Sequence, residues 1–178
     1  RIAGLDYAET TDMMTAALRG FNMELNAASA KRINDVYSNL AAKSASNTQE
    51  LGEAMERTAS IAHSAGMSFE GTSAFLAQMI ETTREAPENL GTAMKTIIAR
   101  FQELKENPLE MAEVDGEEVS FNKVDAALQT IGVSLKDANG QFRELDQVFL
   151  DISQRWDSLT QTQQRYIATT AAGSRQQS

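Results

Sequence analysis

Apolar residues recur at three- and four-residue steps along most of this chain, the spacing that gathers them on one face of an α-helix. Asp6 and Glu9 form a capping-box pair, and a first helix is predicted from Tyr7 to about Arg19, with Met13, Met14, Ala17, Leu18 and Phe21 on its apolar side and Gly20 loosening its end. A second is predicted from about Ala27 to Ala42 on the stripe Ala30, Ile33, Tyr37, Leu40 and Ala41. A third starts near Asn47, with Glu50 in the capping-box position and Leu51, Ala54, Met55, Thr58, Ile61, Ala62 and Ala65 in one stripe. Gly66 stands where a left-handed stop belongs. Ser68 caps a fourth helix whose centre, Ala74 to Ala77, is apolar on more than one face and is expected to be buried. Pro87 suits the first turn of a fifth, because its missing N–H has no helical partner there. Leu90, Ala93, Met94, Ile97, Ile98, Phe101 and Leu104 give that helix the cleanest amphipathic spacing in the sequence.

The pattern changes after Pro108. Val114-Asp115-Gly116-Glu117-Glu118-Val119 reads as a short β-hairpin, since Asp-Gly takes the positive φ angles of a tight turn. Val124, Leu128 and Ile131 predict a short helix ending at Gly132, and Val133, Leu135, Asn139-Gly140 and Phe142 a second small hairpin. Leu145, Val148, Phe149, Ile152, Trp156 and Leu159 mark a seventh helix. Thr160 with Gln163 caps an eighth, from about Gln161 to Ala172, stopped by Gly173. The expected class is all-α: about eight short amphipathic helices as packed helical hairpins, with one or two small β-hairpins near 112–120 and 133–143. The expected domains are a helical-hairpin subdomain over 1–104, an acidic connector with its hairpin over 105–120, and a smaller helical subdomain over 121–178. The sequence starts without Met and stops at Gln176-Gln177-Ser178, so it is expected to be a fragment of a much longer protein.

Composition narrows the chemistry. Aromatics are 6% of the 178 residues against 42% apolar overall, so Ala, Met, Leu and Ile supply the packing. The absence of cysteine removes disulfides and thiolate metal sites, and the single His63 removes multi-histidine zinc sites. Twenty-five acidic against 16 basic residues give a net charge of -9, which argues against nonspecific nucleic-acid binding and against docking on an anionic membrane. No apolar run approaches the ~18 residues that span a bilayer.

Candidate motifs fail on their own chemistry. Asp137-Ala138-Asn139-Gly140 has the look of a calcium loop centre, but the first ligand position then falls on Leu135 and the twelfth on Asp146. Ala62 to Ser68 has the outline of a helix-turn-helix turn. Its reading helix, Phe69 to Ile80, carries Glu70 and neither lysine nor arginine, so a plain helical hairpin is the better reading. His63 has no co-ligand at metal spacing. There is no nucleophile elbow and no phosphate loop, and Glu117 and Glu118 lie in a polar turn with little reason for shifted pKa values. Met55, Met79 and Met94 fall in apolar stripes and are expected in the core, as is Trp156. No catalytic, cofactor-binding or metal site is expected.

The second half carries a recognisable string: Asp115 to Val124, then Ala126-Ala127-Leu128, Ile131-Gly132-Val133, Asn139 to Arg143, Trp156 to Leu159, Gln164 to Thr169 and Ala171 to Ser178. This series resembles the conserved block of tail tape measure proteins from long-tailed bacteriophages and the prophages of Gram-positive bacteria. Ala27 to Leu40, and Ala62 to Ser68 with Ala74-Phe75-Leu76, are similar to the helix and helical hairpin that precede that block. The likeness extends over about residues 6 to 178.

The resemblance implies a structural protein, not an enzyme, and no cofactors. Such a protein sets tail length, occupies the lumen of the growing tube in a few copies, and leaves ahead of the DNA at ejection. The implied partners are further copies of itself, the tail tube, the tail tip or baseplate and the tail assembly chaperones. It implies no specific nucleic-acid binding. The implied location is the virion tail, after the host cytoplasm. The residues themselves add that a ruler calls for uninterrupted helix, at about 1.5 Å per residue, whereas this segment is punctuated by Gly52, Gly66, Gly71, Gly91, Gly116, Gly132, Gly140 and two prolines. A compact module within the longer chain is therefore expected, one that anchors a tail end or nucleates assembly. The competing expectation is a stand-alone helical interaction module or secreted effector of bacterial origin.

Overall fold

The computed structural model describes residues 7–102, 112–114, 117–119 and 123–172, with the backbone alone at 7–10 and in the two strands. Eight helices are seen among them: α1 Tyr7–Gly20, α2 Ala27–Lys43, α3 Thr48–Ser64, α4 Phe69–Thr83, α5 Pro87–Phe101, α6 Lys123–Gln129, α7 Leu145–Trp156 and α8 Gln161–Ala172. The all-α class holds, and the β part of the expectation is corrected. Over 133–143 there is no strand, only an isolated bridge between Lys136 and Phe142. Two bonds cross the turn around it, Asp137 N–H to the Gln141 carbonyl and Arg143 N–H to the Leu135 carbonyl, each at 2.9 Å. The pairing goes no further because other donors are bound elsewhere: Val133 N–H to the Leu128 carbonyl at 3.1 Å, Leu135 N–H to Asp125 Oδ1 at 2.9 Å, and Lys136 N–H to Ser134 Oγ at 3.1 Å. Near 112–120 the backbone pairs antiparallel over two three-residue segments, Ala112–Val114 (β1) and Glu117–Val119 (β2). Segments this short add no sheet layer to a helical architecture. The Asp115-Gly116 turn, the rest of the acidic connector, the Asp6 cap and the Gly173 stop lie outside the described residues.

The helix ends follow the sequence signals. Asn26 Oδ1 accepts from Ser29 N–H at 2.8 Å and starts α2. Asn47 and Glu50 exchange both capping-box bonds, each 2.9 Å, at the start of α3. Ser68 Oγ accepts from Gly71 N–H at 2.9 Å for α4. Three helices stop in the same way. Met23 N–H reaches back to the Leu18 carbonyl, Met67 N–H to Ala62 and Val133 N–H to Leu128, while Asn22, Gly66 and Gly132 hold the left-handed position at φ 50, 73 and 71°.

The chain divides into two compact units, residues 1–96 and 97–178. In the first, the most extensive packing skips a helix: α1 lies on α3. A Cβ at Gly52 would sit 2.0 Å from Met13 Cε, and one at Gly20 would sit 2.3 Å from Ala59 Cβ. Residue 13 thus faces 52 and residue 20 faces 59, so α1 and α3 run parallel. Helices α2 and α4 also run parallel, because Arg32 meets Glu70 near their starts and Arg84 reaches the Ala45 carbonyl at 2.8 Å near their ends. Helix α5 meets α3 where Gly91 has no side chain, and a Cβ there would lie 2.4 Å from the Ala54 carbonyl oxygen. At that crossing the fully buried Thr58 hydroxyl donates to the carbonyls of Ala54 (3.1 Å) and Gly91 (3.0 Å). Gly52 and Gly91 are therefore contact points inside helices, not breaks between them.

In the second unit, Ile98 and Phe101 at the end of α5 are buried, as are Val124, Ala127 and Leu128 of α6, Leu145 and Val148 of α7, and Ile167 of α8. Phe101 meets Phe149 edge-on at 5.0 Å between ring centres. Helix α6 packs on α8. Arg143 ties the 133–143 loop to α7, donating to the Ser134 carbonyl (3.0 Å) and Asp151 Oδ2 (2.7 Å). The side chain of Gln163 accepts from Thr160 N–H at 3.0 Å and caps α8.

Candidate interaction surface

The groups with candidate chemistry occupy structural places. His63 lies exposed in the last turn of α3, its ring 5.8 Å from that of Phe21. In the would-be calcium loop, Asp137 Oδ1 accepts from the backbone N–H of Asn139 and Gln141, each at 2.9 Å, and Leu135 is buried. The Asp137 carboxylate is thus used to hold a tight turn, with Gly140 at φ 77°. Among the described residues no group of three or more His, Asp or Glu is placed to hold a metal ion. No helix of the described residues is long and apolar enough to cross a membrane. The side chains of Glu117 and Glu118 lie outside the described set.

The expected core positions divide. Met55 and Met94 are buried, whereas Met79 and Trp156 are only half-buried. The centre of α4 is corrected: Leu76 and Ala77 are buried, but Ala74 and Phe75 face outward. One side of α4 is taken by α3 and another by α2, and Ala74 and Phe75 lie on neither of those two sides. Thr72 and Ser73 are buried as well, each hydroxyl donating to the carbonyl four residues earlier (Ser68, 2.9 Å; Phe69, 2.8 Å).

The seam between α2 and α4 carries a charged pair. Arg32 Nε and Nη2 hold the two carboxylate oxygens of Glu70 at 2.6 and 2.7 Å, a bidentate pair on an exposed surface. The Arg32 hydrogen bond holds the Glu70 carboxyl below the usual carboxylate range. Between the same two helices the Tyr37 ring packs on Phe69 at 5.5 Å, and Phe69 meets Phe21 edge-on at 5.6 Å. The Tyr37 hydroxyl is buried and finds no hydrogen-bond partner among the described residues. Burial, with the Glu56 charge nearby, pushes its pKa far up. Desolvation, then Asp12 and Glu53, raise Glu56 as well.

Large apolar side chains also reach the surface. Leu25, in the turn between α1 and α2, is 88% exposed. Phe142, Leu150 and Tyr166 of the second unit are exposed too.

The family described as phage-related minor tail protein matches residues 1–173 of this chain. The chain belongs to that family. One relative of this minor tail segment is the tape measure protein of Pneumococcus phage Dp-1, 27% identical over 169 residues. The aligned stretch is 94% of this chain but 13% of the relative, so the minor tail segment spans only a small part of that protein's length. No solved structure matches it.

Sequence reasoning missed the helix-skipping contacts of this minor tail segment. Glycine was read as punctuation, which is right for Gly66, Gly132 and Gly140 with their positive φ. The available signal was small residues within apolar stripes, such as Gly52 beside Ala54 and Gly91 beside Leu90. A stripe bearing a glycine marks a face where a neighbouring helix comes close.

Proposed function

We propose that this chain is a folded segment of a tape measure protein, which templates tail length and assembly and leaves the tube during DNA ejection. Support comes chiefly from the family match over nearly the whole chain, joined by its likeness to the Dp-1 protein. Its role is mechanical, and it performs no catalysis. The segment is not the ruler stretch itself. As one continuous helix its 178 residues would reach ~270 Å, but α1 and α3 lie side by side, as do α2 and α4. A segment folded in this way anchors the long chain at a tail end or nucleates assembly there. Its partners are further copies, the tail tube, the tail tip or baseplate and the assembly chaperones, met first in the host cytoplasm and then in the virion tail.

Gold-labelled antibodies against this segment test the reading on purified particles. Label should appear in detergent-opened intact tails and be lost from tails that have ejected their DNA. Tails without the segment before ejection, with the protein recovered free of particles, would overturn it.

A further inference from the structure

Helices α2 and α3 have the same length, 17 residues, and very different holds on the first unit. Helix α3 buries Thr48, Leu51, Gly52, Ala54, Met55, Thr58, Ala59 and Ala62, whereas α2 buries Ile33 and Tyr37. One of those two brings a buried hydroxyl that finds no partner among the described residues. Among the described residues the polar ties across the seam are Arg32 with Glu70 and Arg84 with the Ala45 carbonyl, and both are exposed. The connection before α2 is open to solvent as well, with Glu24, Leu25 and Asn26 all exposed. Helix α1, by contrast, is fixed to α3 by Met13 against Gly52 and Gly20 against Ala59, contacts that salt does not screen.

From this imbalance we infer that α2 is a lid: it lifts from α1, α3 and α4 as a local unit while those three stay packed on one another, and the Arg32–Glu70 pair is its latch. Lifting uncovers Phe69, which lies under Tyr37 and is 2% exposed in the closed form. The opening is small-scale unfolding of the least-buried element, the kind of motion that segments with few apolar contacts undergo. It needs no ligand and no chemistry. The inference rests on packing alone and stands whether or not the tape measure reading is right.

Native-state hydrogen exchange, read residue by residue on the whole chain, tests it. The amides of α2 should exchange faster than those of α3, and raising the salt from low to about 0.5 M should speed α2 selectively, because the exposed latch is screened. Arg32→Ala should speed α2 exchange about two- to fivefold, the range expected for an exposed ion pair, and leave α3 unchanged. Equal protection of α2 and α3, or an Arg32→Ala effect shared equally by both, would overturn the lid. The salt series on the unaltered chain decides the matter if the variant proves poorly behaved.

Discussion

Replacing Gly91 by alanine sets two effects of opposite sign against each other. Within a helix, alanine is favoured over glycine by about 1 kcal/mol, so propensity alone makes Gly91→Ala stabilising. The position is not free, however. The new Cβ would lie 2.4 Å from the Ala54 carbonyl oxygen, 3.1 Å from its carbon and 3.2 Å from its Cα. All three are backbone atoms of α3, which cannot turn aside as a side chain can. Pushing α5 away also stretches the 3.0 Å bond from the Thr58 hydroxyl to the Gly91 carbonyl. Overpacking of this kind costs about 1–3 kcal/mol, and a buried hydrogen bond about 1 kcal/mol. The variant should therefore lose about 1–3 kcal/mol net, with Thr58→Val losing about 1 kcal/mol by itself. Urea denaturation followed by far-ultraviolet circular dichroism measures both. A Gly91→Ala chain stabilised by ~1 kcal/mol, as propensity demands, would refute the close crossing of α3 and α5.

Gly52→Ala should behave differently. Its Cβ meets Met13 Cε, Cγ and Sδ at 2.0, 2.6 and 2.8 Å. These are atoms of a flexible side chain that can move, so the same urea experiment should show a change within about 1 kcal/mol. Tyr37→Phe removes the buried hydroxyl that finds no partner among the described residues, and should leave stability unchanged or raise it by up to ~1 kcal/mol. The phenol pKa is raised by folding, so its contribution is whole below the ordinary value of about 10 and is lost as pH rises above it. The advantage of Tyr37→Phe should then widen above that pH, and a constant difference from pH 8 to 11 would contradict it. Asn47→Ala removes one half of the α3 capping box and should cost about 1 kcal/mol, read from the shift of the urea midpoint.

The helices were legible because their ends are local chemistry. Asn47 with Glu50, Ser68, Pro87 and Thr160 with Gln163 each stand at a helix start, and Gly66 and Gly132 follow helix ends. The pairing of helices was not legible, because it depends on which glycine-bearing faces meet, and Gly52 looks the same whether it breaks a helix or receives Met13. The 133–143 loop misled for a similar reason. Its alternating apolar residues and Asn-Gly turn fit a hairpin, but Asp125 and Ser134 take backbone N–H groups that strands would share. Phe75 shows the same limit in an apolar run, since four consecutive apolar residues on α4 cannot all face two neighbouring helices. The candidate surface was the least legible part. The Arg32–Glu70 latch joins residues far apart in sequence, and neither stands out by type or spacing.

Tail length is the most direct test of whether this segment is folded rather than part of the ruler. In a phage whose genome carries this segment, residues 48–83, which hold α3 and α4, can be deleted in frame and the tails measured by electron microscopy. A folded anchoring module predicts either loss of tail assembly or tails of unchanged length. Intact tails uniformly shorter by roughly 50 Å, the length of that stretch as extended helix, would contradict it.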